Sequence, residues 1–161
     1  MKHLLITFSL ALVCSFAVGQ NKIPSVKLKN LEGSTVDTST MLNEDGPTVI
    51  CFWATWCSPC KRELNVYTEL YEEWQEETGV KIIAVSIDDQ RSSSRVAPYI
   101  NSVEWEFDVL LDVNAQFKRA MNVINVPHTF LVDKNGIVVW QHNNYADGDE
   151  DELFEQLEKL K

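Results

Sequence analysis

The chain has 161 residues, of which 45% are hydrophobic and five are Trp, so it can bury one substantial core but hardly two. Its formal net charge of −10 disfavours nucleic acids and anionic membrane surfaces as partners, because both would repel the protein. We therefore expect a single domain that binds no nucleic acid.

The N-terminus has the layout of a secretory signal segment. Basic residues precede an apolar run at residues 4–18, and a small-x-small pattern ends at Gly19. We expect residues 1–19 to be removed before Gln20, so that residues 20–161 form one exported domain in a periplasmic or other extracytoplasmic space. That compartment is oxidising, and a dithiol kept reduced in it would need a supply of electrons.

Two other fates of the N-terminal segment stay open. The apolar run could remain as an uncleaved membrane anchor, although it is short for a helix that spans a bilayer. A lipoprotein anchor at Cys14 is the second alternative. Val13 disfavours it, because signals that are cut for lipid attachment usually carry a small residue just before the cysteine.

Strands and helices alternate in the first half of the mature chain. Residues 25–29 alternate apolar and polar side chains and are typical of an edge strand, and the β-rich run Thr48–Trp53 predicts a second strand. Helical periodicity follows at residues 57–78, with Gly79 placed to end the helix. The almost continuous apolar run 80–87 is typical of a strand buried in a sheet with helices on both sides.

The second half continues the pattern. Residues 92–101 and 113–121 are predicted to be helical, and a hairpin with strands 129–132 and 137–141 follows around the turn sequence DKNG. The last helix is predicted to begin near Asp149, to continue to the chain terminus and to turn an apolar stripe to the core. This order of elements indicates a layered α/β domain.

A pair of cysteines, Cys57 and Cys60, stands where the second strand leads into the first helix. Two cysteines three residues apart can close a small disulfide ring, and the free N–H groups of a helix start favour a thiolate. Cys57 is therefore the expected nucleophile, and the better shielded Cys60 is expected to resolve the mixed disulfide. No metal site is expected, because the other Cys and His residues of the mature chain, Cys51, His128 and His142, are not spaced as a second pair of ligands.

Two segments resemble the thioredoxin-fold family. The sequence FWATWCSPC at residues 52–60 is similar to the family's active-site segment, and VPHTFLVDKNG at 126–136 is similar to its cis-proline segment. The export signal, the strand pair before the active site and the segment 88–121 further resemble the exported TlpA/ResA-like branch. The resemblance implies an α/β thioredoxin-like fold with a central mixed β-sheet flanked by helices, an N-terminal strand extension and a helical insertion before the cis-proline segment.

The resemblance also implies a substrate-binding surface beside the dithiol. It places Pro127 in cis next to the disulfide, where the backbone N–H and C=O of Val126 can pair with an extended substrate segment. Trp56 is expected to shield the dithiol and to offer substrates a flat contact, with a core position as the alternative. His128 is expected near the sulfurs, where it could tune the thiolate; an ordinary surface or hydrogen-bonded core histidine is the alternative.

Glu63 is the candidate acid/base. It lies three residues after Cys60 on the same helix, so its carboxylate could exchange the proton that Cys60 loses, and ResA-like proteins are thought to use a glutamate at the matching position in this way. A carboxylate that pairs with Lys61 or Arg62, or favours the helix start, is the alternative. Many thioredoxins keep a buried aspartate where this chain has Cys51, which we expect to be a small buried hydrophobic residue.

The resemblance implies an exported thiol-disulfide oxidoreductase that reduces protein disulfides through Cys57. Its electrons would come from a DsbD-like membrane thiol donor, and its substrates would be exported proteins such as apocytochrome c. We expect a monomer with no cofactor beyond the redox-active disulfide. Two alternatives stay open: a Cu(I) carrier that uses Cys57, Cys60 and His128, and a thiol peroxidase, which segment 88–121 favours but the sequence TWC at 55–57 does not.

Overall fold

The computed structural model describes residues 21–161, so the expected signal segment, residues 1–19, lies outside the described residues. Within residues 21–161 seven strands form one sheet: β1 (Lys27–Asn30), β2 (Thr35–Asp37), β3 (Thr48–Trp53), β4 (Lys81–Ser86), β5 (Asp108–Leu111), β6 (His128–Val132) and β7 (Val138–Asn143). The same part of the chain forms four α-helices: α1 (Ser58–Thr78), α2 (Val96–Val103), α3 (Gln116–Ala120) and α4 (Asp149–Glu158). A 3₁₀ turn, Ser93–Arg95, leads into α2.

The sheet is mixed, with the order β2-β1-β5-β4-β3-β6-β7. The central strands β3, β4 and β5 run parallel, and β6, β7, β1 and β2 are added in antiparallel fashion on the two sides. Every residue of β3 and β4 except Lys81 is buried, as expected for strands that are covered on both faces. The predicted class, a mixed sheet flanked by helices, is confirmed.

Helix α1 begins and ends where its sequence predicts. Cys57 is the N-cap residue, Pro59 lies in the first turn, where a missing N–H costs nothing, and Gly79 ends the helix with a positive φ of 67°. The face turned to the sheet includes the fully buried Leu64 and the nearly buried Trp74. The start of the helix is therefore fixed in place, and the disulfide with it.

Hydrophobic residues pack on both faces of the sheet. One cluster contains the disulfide and the apolar faces of α1 and α4; Leu153 and Leu157 of α4 belong to it, as expected for the apolar stripe of the last helix. The other surrounds Phe52, whose ring centroid lies 5.3 Å from that of Phe117 and 5.9 Å from that of Phe130. In the part of the chain that the structure describes, no helix is long and apolar enough to cross a membrane.

The structure corrects several predicted elements. Strand β1 is not an edge strand, because it pairs with β2 on one side and β5 on the other. The expected helical insertion contains α2 and α3, but strand β5 between them was not predicted; its four residues are too few to show a period, and pairing with β4 defines it. The helix predicted at 113–121 shortens to Gln116–Ala120, and α4 ends at Glu158 before the chain terminus.

Candidate active site

Cys57 and Cys60 form a disulfide at the start of α1, with 5.4 Å between their Cα atoms. Cys57 keeps 5% of its surface exposed while Cys60 has none, which favours Cys57 as the residue that a substrate sulfur can reach first. The Cys60 N–H donates to the Cys57 sulfur at 3.3 Å. Together with the positive end of the helix dipole, this hydrogen bond favours a thiolate on Cys57 once the disulfide is open.

Glu63 lies one turn further along α1 and is only 1% exposed. Its Oε1 accepts hydrogen bonds from the Tyr67 hydroxyl at 3.2 Å and the Thr129 hydroxyl at 2.7 Å. Burial raises the pKa of Glu63 from 4.5 to about 7, although the two hydroxyl donors partly offset the rise. The alternative of an ion pair with Lys61 or Arg62 is wrong, since neither pairs with Glu63 among the described residues.

The pocket around Glu63 contains groups that the sequence did not single out. Thr129 lies opposite Cys51 in the β3–β6 pairing, and Tyr67 stands one helical turn after Glu63. Two sequence signals could have identified them: Tyr67 lies four residues after Glu63 on the same helix, and Thr129 is a polar residue in a mostly apolar strand. Cys51 is a free, fully buried cysteine, which confirms its expected core position. Burial, and secondly the charge of Glu63, raises the pKa of the Cys51 thiol.

The Val126-Pro127 peptide bond is cis, as expected. Pro127 is buried, and the half-buried Val126 packs against the clusters on both faces of the sheet. Among residues 21–161, no group donates a hydrogen bond to the Val126 carbonyl or accepts one from its N–H. These backbone groups are therefore free to pair with another chain.

Apolar side chains are exposed in the segments that flank the disulfide and the proline. Trp56, immediately before Cys57, is 61% exposed, so the alternative of a core position is wrong. Ile124, three residues before the proline, is 81% exposed and was not singled out from the sequence. A large apolar side chain that remains in water is more typical of a contact surface than of a core.

His128 packs on the face of the sheet that holds Phe130. Its ring stacks on Phe130, with centroids 4.3 Å apart, and its Nε2 lies 3.3 Å from the Gln141 Oε1. Burial lowers the pKa of His128. Because side chains alternate along a strand, His128 points away from the face to which Thr129 points, where Glu63 lies. Among the described residues, no group of three or more His, Cys, Asp or Glu side chains could hold a metal ion.

A second buried carboxylate, Asp88, holds the loop before Cys57. It is 1% exposed; its Oδ1 accepts from the Thr55 hydroxyl at 2.6 Å, and its Oδ2 accepts from the Thr55 N–H at 2.8 Å and the Ser86 hydroxyl at 2.9 Å. The next turn is closed by the Cys57 N–H, which donates to the Ala54 carbonyl at 3.0 Å. Asp88 was not singled out from the sequence.

Comparison with known proteins places this site in a family. Residues 19–141 match the model of the AhpC/TSA family. The thiol-disulfide oxidoreductase ResA of Bacillus thuringiensis subsp. konkukian is 28% identical over 137 residues, which cover 85% of this chain and 75% of that protein.

Two solved structures extend the comparison over most of the chain. A thioredoxin-like protein of uncharacterised function from Porphyromonas gingivalis is 46% identical, with a TM-score of 0.77 and coverage of 87% of this chain and 92% of that one. A candidate thiol:disulfide interchange protein DsbE from Chlorobium tepidum is 28% identical, with a TM-score of 0.72 and coverage of 86% and 93%. With its disulfide at the start of α1, the chain therefore belongs to the AhpC/TSA family of thioredoxin-like proteins, within its TlpA/ResA-like branch of thiol-disulfide oxidoreductases.

Proposed function

We propose that this protein is exported and reduces disulfide bonds in other exported proteins. The observation that carries the proposal is the combination of a helix-start disulfide with a buried carboxyl group one turn away, whose pKa of about 7 lets it both hold and release a proton near neutral pH. The layout of residues 1–19 supports export.

The proposed reaction begins with the reduced dithiol. The Cys57 thiolate attacks one sulfur of a substrate disulfide; that S–S bond breaks, a mixed disulfide forms, and the first substrate sulfur leaves and takes up a proton. Cys60 then passes its proton to Glu63 and attacks the Cys57 sulfur. The second substrate sulfur leaves and is protonated, so the substrate gains two electrons and the protein is left with the Cys57–Cys60 disulfide.

A new cycle requires a dithiol donor of lower potential that reduces the disulfide. We propose a DsbD-like membrane thiol donor for this step, because the surrounding compartment is oxidising. No other cofactor is required, since the disulfide carries both electrons. We further propose that the protein acts as a monomer.

The surface next to the disulfide suits an extended substrate segment. The unpaired backbone N–H and C=O of Val126 can form hydrogen bonds with the backbone of such a segment, as between neighbouring strands of a sheet. The exposed Trp56 offers an apolar contact. Apocytochrome c, with its C-x-x-C-H haem-attachment sequence, is the substrate that we propose to test first.

The proposed reaction predicts that Cys60→Ser traps the mixed disulfide. Incubated with a peptide that contains an oxidised C-x-x-C-H sequence, the reduced Cys60→Ser variant is expected to form a stable one-to-one adduct through Cys57. The wild-type protein is expected to release the fully reduced peptide. Mass spectrometry after thiol blocking distinguishes the two products.

The Cys57→Ser variant serves as the control and is expected to form no adduct with the peptide. An adduct located on Cys60 or Cys51 would contradict the assigned order of attack. A reduced wild-type protein that leaves the peptide oxidised would contradict the reductase function.

A further inference from the structure

Asp88 is a buried carboxylate without a cation. It lies just beyond the end of β4, and no Lys or Arg side chain in residues 21–161 pairs with it. Buried aspartates are uncommon unless they are paired, and this one is stabilised instead by neutral donors of Thr55 and Ser86. An isolated buried charge of this kind calls for an explanation beyond core packing.

Two of the three hydrogen bonds that the Asp88 carboxylate accepts come from the loop that presents Cys57. Thr55 is held through both its backbone N–H and its hydroxyl, two residues before the nucleophile. The neighbouring Ile87 N–H donates to the Trp53 carbonyl at 2.9 Å, so the ends of β3 and β4 are tied together at the same place. Asp88 therefore fixes the path of the chain between β3 and α1.

The charge of Asp88 and the dipole of α1 have opposite effects on the stability of a Cys57 thiolate. The dipole of α1 stabilises a Cys57 thiolate, whereas a buried negative charge beside the same loop disfavours it. A disulfide becomes a stronger oxidant when its reduced, thiolate-bearing form is stabilised. By the same rule, a negative charge that disfavours the thiolate makes such a pair more reducing.

We propose that Asp88 is a positioning residue that holds the Thr55 loop in place and that its charge keeps the Cys57–Cys60 pair a reductant. The inference rests on the proposed function and adds a residue to it. Lys61 and Arg62, near the start of α1, are unchanged in every variant below, so the comparison isolates Asp88.

Asp88→Asn tests the charge. The asparagine oxygen can accept from the Thr55 N–H and the Ser86 hydroxyl, and its amide can donate to the Thr55 hydroxyl, so the three contacts can persist without the charge. In glutathione buffers, the equilibrium between disulfide and dithiol in Asp88→Asn is expected to lie about tenfold further toward the dithiol than in the wild type. This corresponds to a reduction potential higher by about 30 mV. Asp89→Asn, which changes the exposed neighbour that bonds to Arg91, is the matched control and is expected to leave the equilibrium unchanged.

Thr55→Val tests the positioning. This variant keeps the charge of Asp88 but loses the 2.6 Å hydroxyl contact. We expect the rate of exchange with a small aromatic disulfide to fall several-fold while the glutathione equilibrium stays close to that of the wild type, since positioning affects access and geometry more than charge. This variant also keeps the proposal testable if Asp88→Asn does not fold.

Two results would overturn the inference. A folded Asp88→Asn variant with the wild-type equilibrium would remove the role of the charge, and a Thr55→Val variant with the wild-type exchange rate would remove the positioning role. Failure of the proposed reductase function is separate, because it would show as a wild-type protein that does not reduce the C-x-x-C-H peptide. The glutathione equilibrium requires only a reversible disulfide.

Discussion

Replacement of Cys57 by Ser is expected to abolish disulfide exchange, with a fall in turnover on the order of 10³-fold or more, because the attacking thiolate is lost. A serine hydroxyl at the same helix start is not ionised near neutral pH and forms no mixed disulfide. Turnover is measured as reduction of the oxidised C-x-x-C-H peptide, with dithiothreitol as the electron donor and the background rate of dithiothreitol subtracted.

Cys51→Ala is the matched control for this prediction. Cys51 is fully buried and free, so its removal is expected to leave turnover close to that of the wild type. A Cys57→Ser variant that retained most of its turnover would show that another sulfur performs the attack. Loss of turnover in Cys51→Ala with an intact fold would place that buried thiol in the reaction.

The stability of the oxidised protein is expected to fall as the pH rises through the range in which Glu63 titrates. The pKa of Glu63 is about 7 in the folded protein and 4.5 in the reference state, so between these values the folded protein holds a proton that the unfolded chain has released. A difference of one pKa unit is worth about 1.4 kcal/mol, so this carboxyl lowers the free energy of unfolding by about 3 kcal/mol between pH 4 and pH 8.

Glu63→Gln removes this dependence, because the amide does not titrate. Both oxidised proteins are unfolded in urea from pH 4 to pH 8. The free energy of unfolding of the variant is expected to rise by about 3 kcal/mol relative to that of the wild type, and most of this change is complete just above pH 7. Glu69→Gln, at an exposed position on the same helix, is the control and is expected to follow the wild type. If the free energy of unfolding changed with pH in the same way in Glu63→Gln and in the wild type, the raised pKa of Glu63 would be contradicted.

The parts of the fold that were predictable depend on local cues. The apolar run of β3, the proline and cysteines at the start of α1 and the glycine that ends the helix each act through their immediate neighbours. The hairpin of β6 and β7 follows in the same way from its turn sequence. The start of α1 contains Cys57 and Cys60, so these local cues place the disulfide, whereas the cis bond at Pro127 was expected from the family resemblance.

The missed elements depend on partners that are distant in the chain. Strand β5 exists because four residues pair with β4, and β1 is an interior strand because β5 lies beside it. Neither pairing leaves a periodic pattern in so short a segment. The expected helical insertion therefore contains α2 and α3 and, between them, a strand that the sequence did not predict.

Thr129 was missed for a different reason. His128 directly follows Pro127, but side chains on a strand alternate between the two faces, so the next residue, Thr129, is the one that reaches Glu63. The partners of the buried carboxylates were missed because they come from other elements. Thr129 lies 66 residues after Glu63, and Thr55 lies 33 residues before Asp88.

The most direct test of the proposed function is the equilibrium reduction potential of the Cys57–Cys60 pair in the mature wild-type protein, measured against glutathione or dithiothreitol buffers. We expect a value near or below about −220 mV, on the thioredoxin side of the scale, as required of a reductant that draws on a membrane thiol donor. A value near about −120 mV would make the protein an oxidant and would contradict the proposed direction of electron flow.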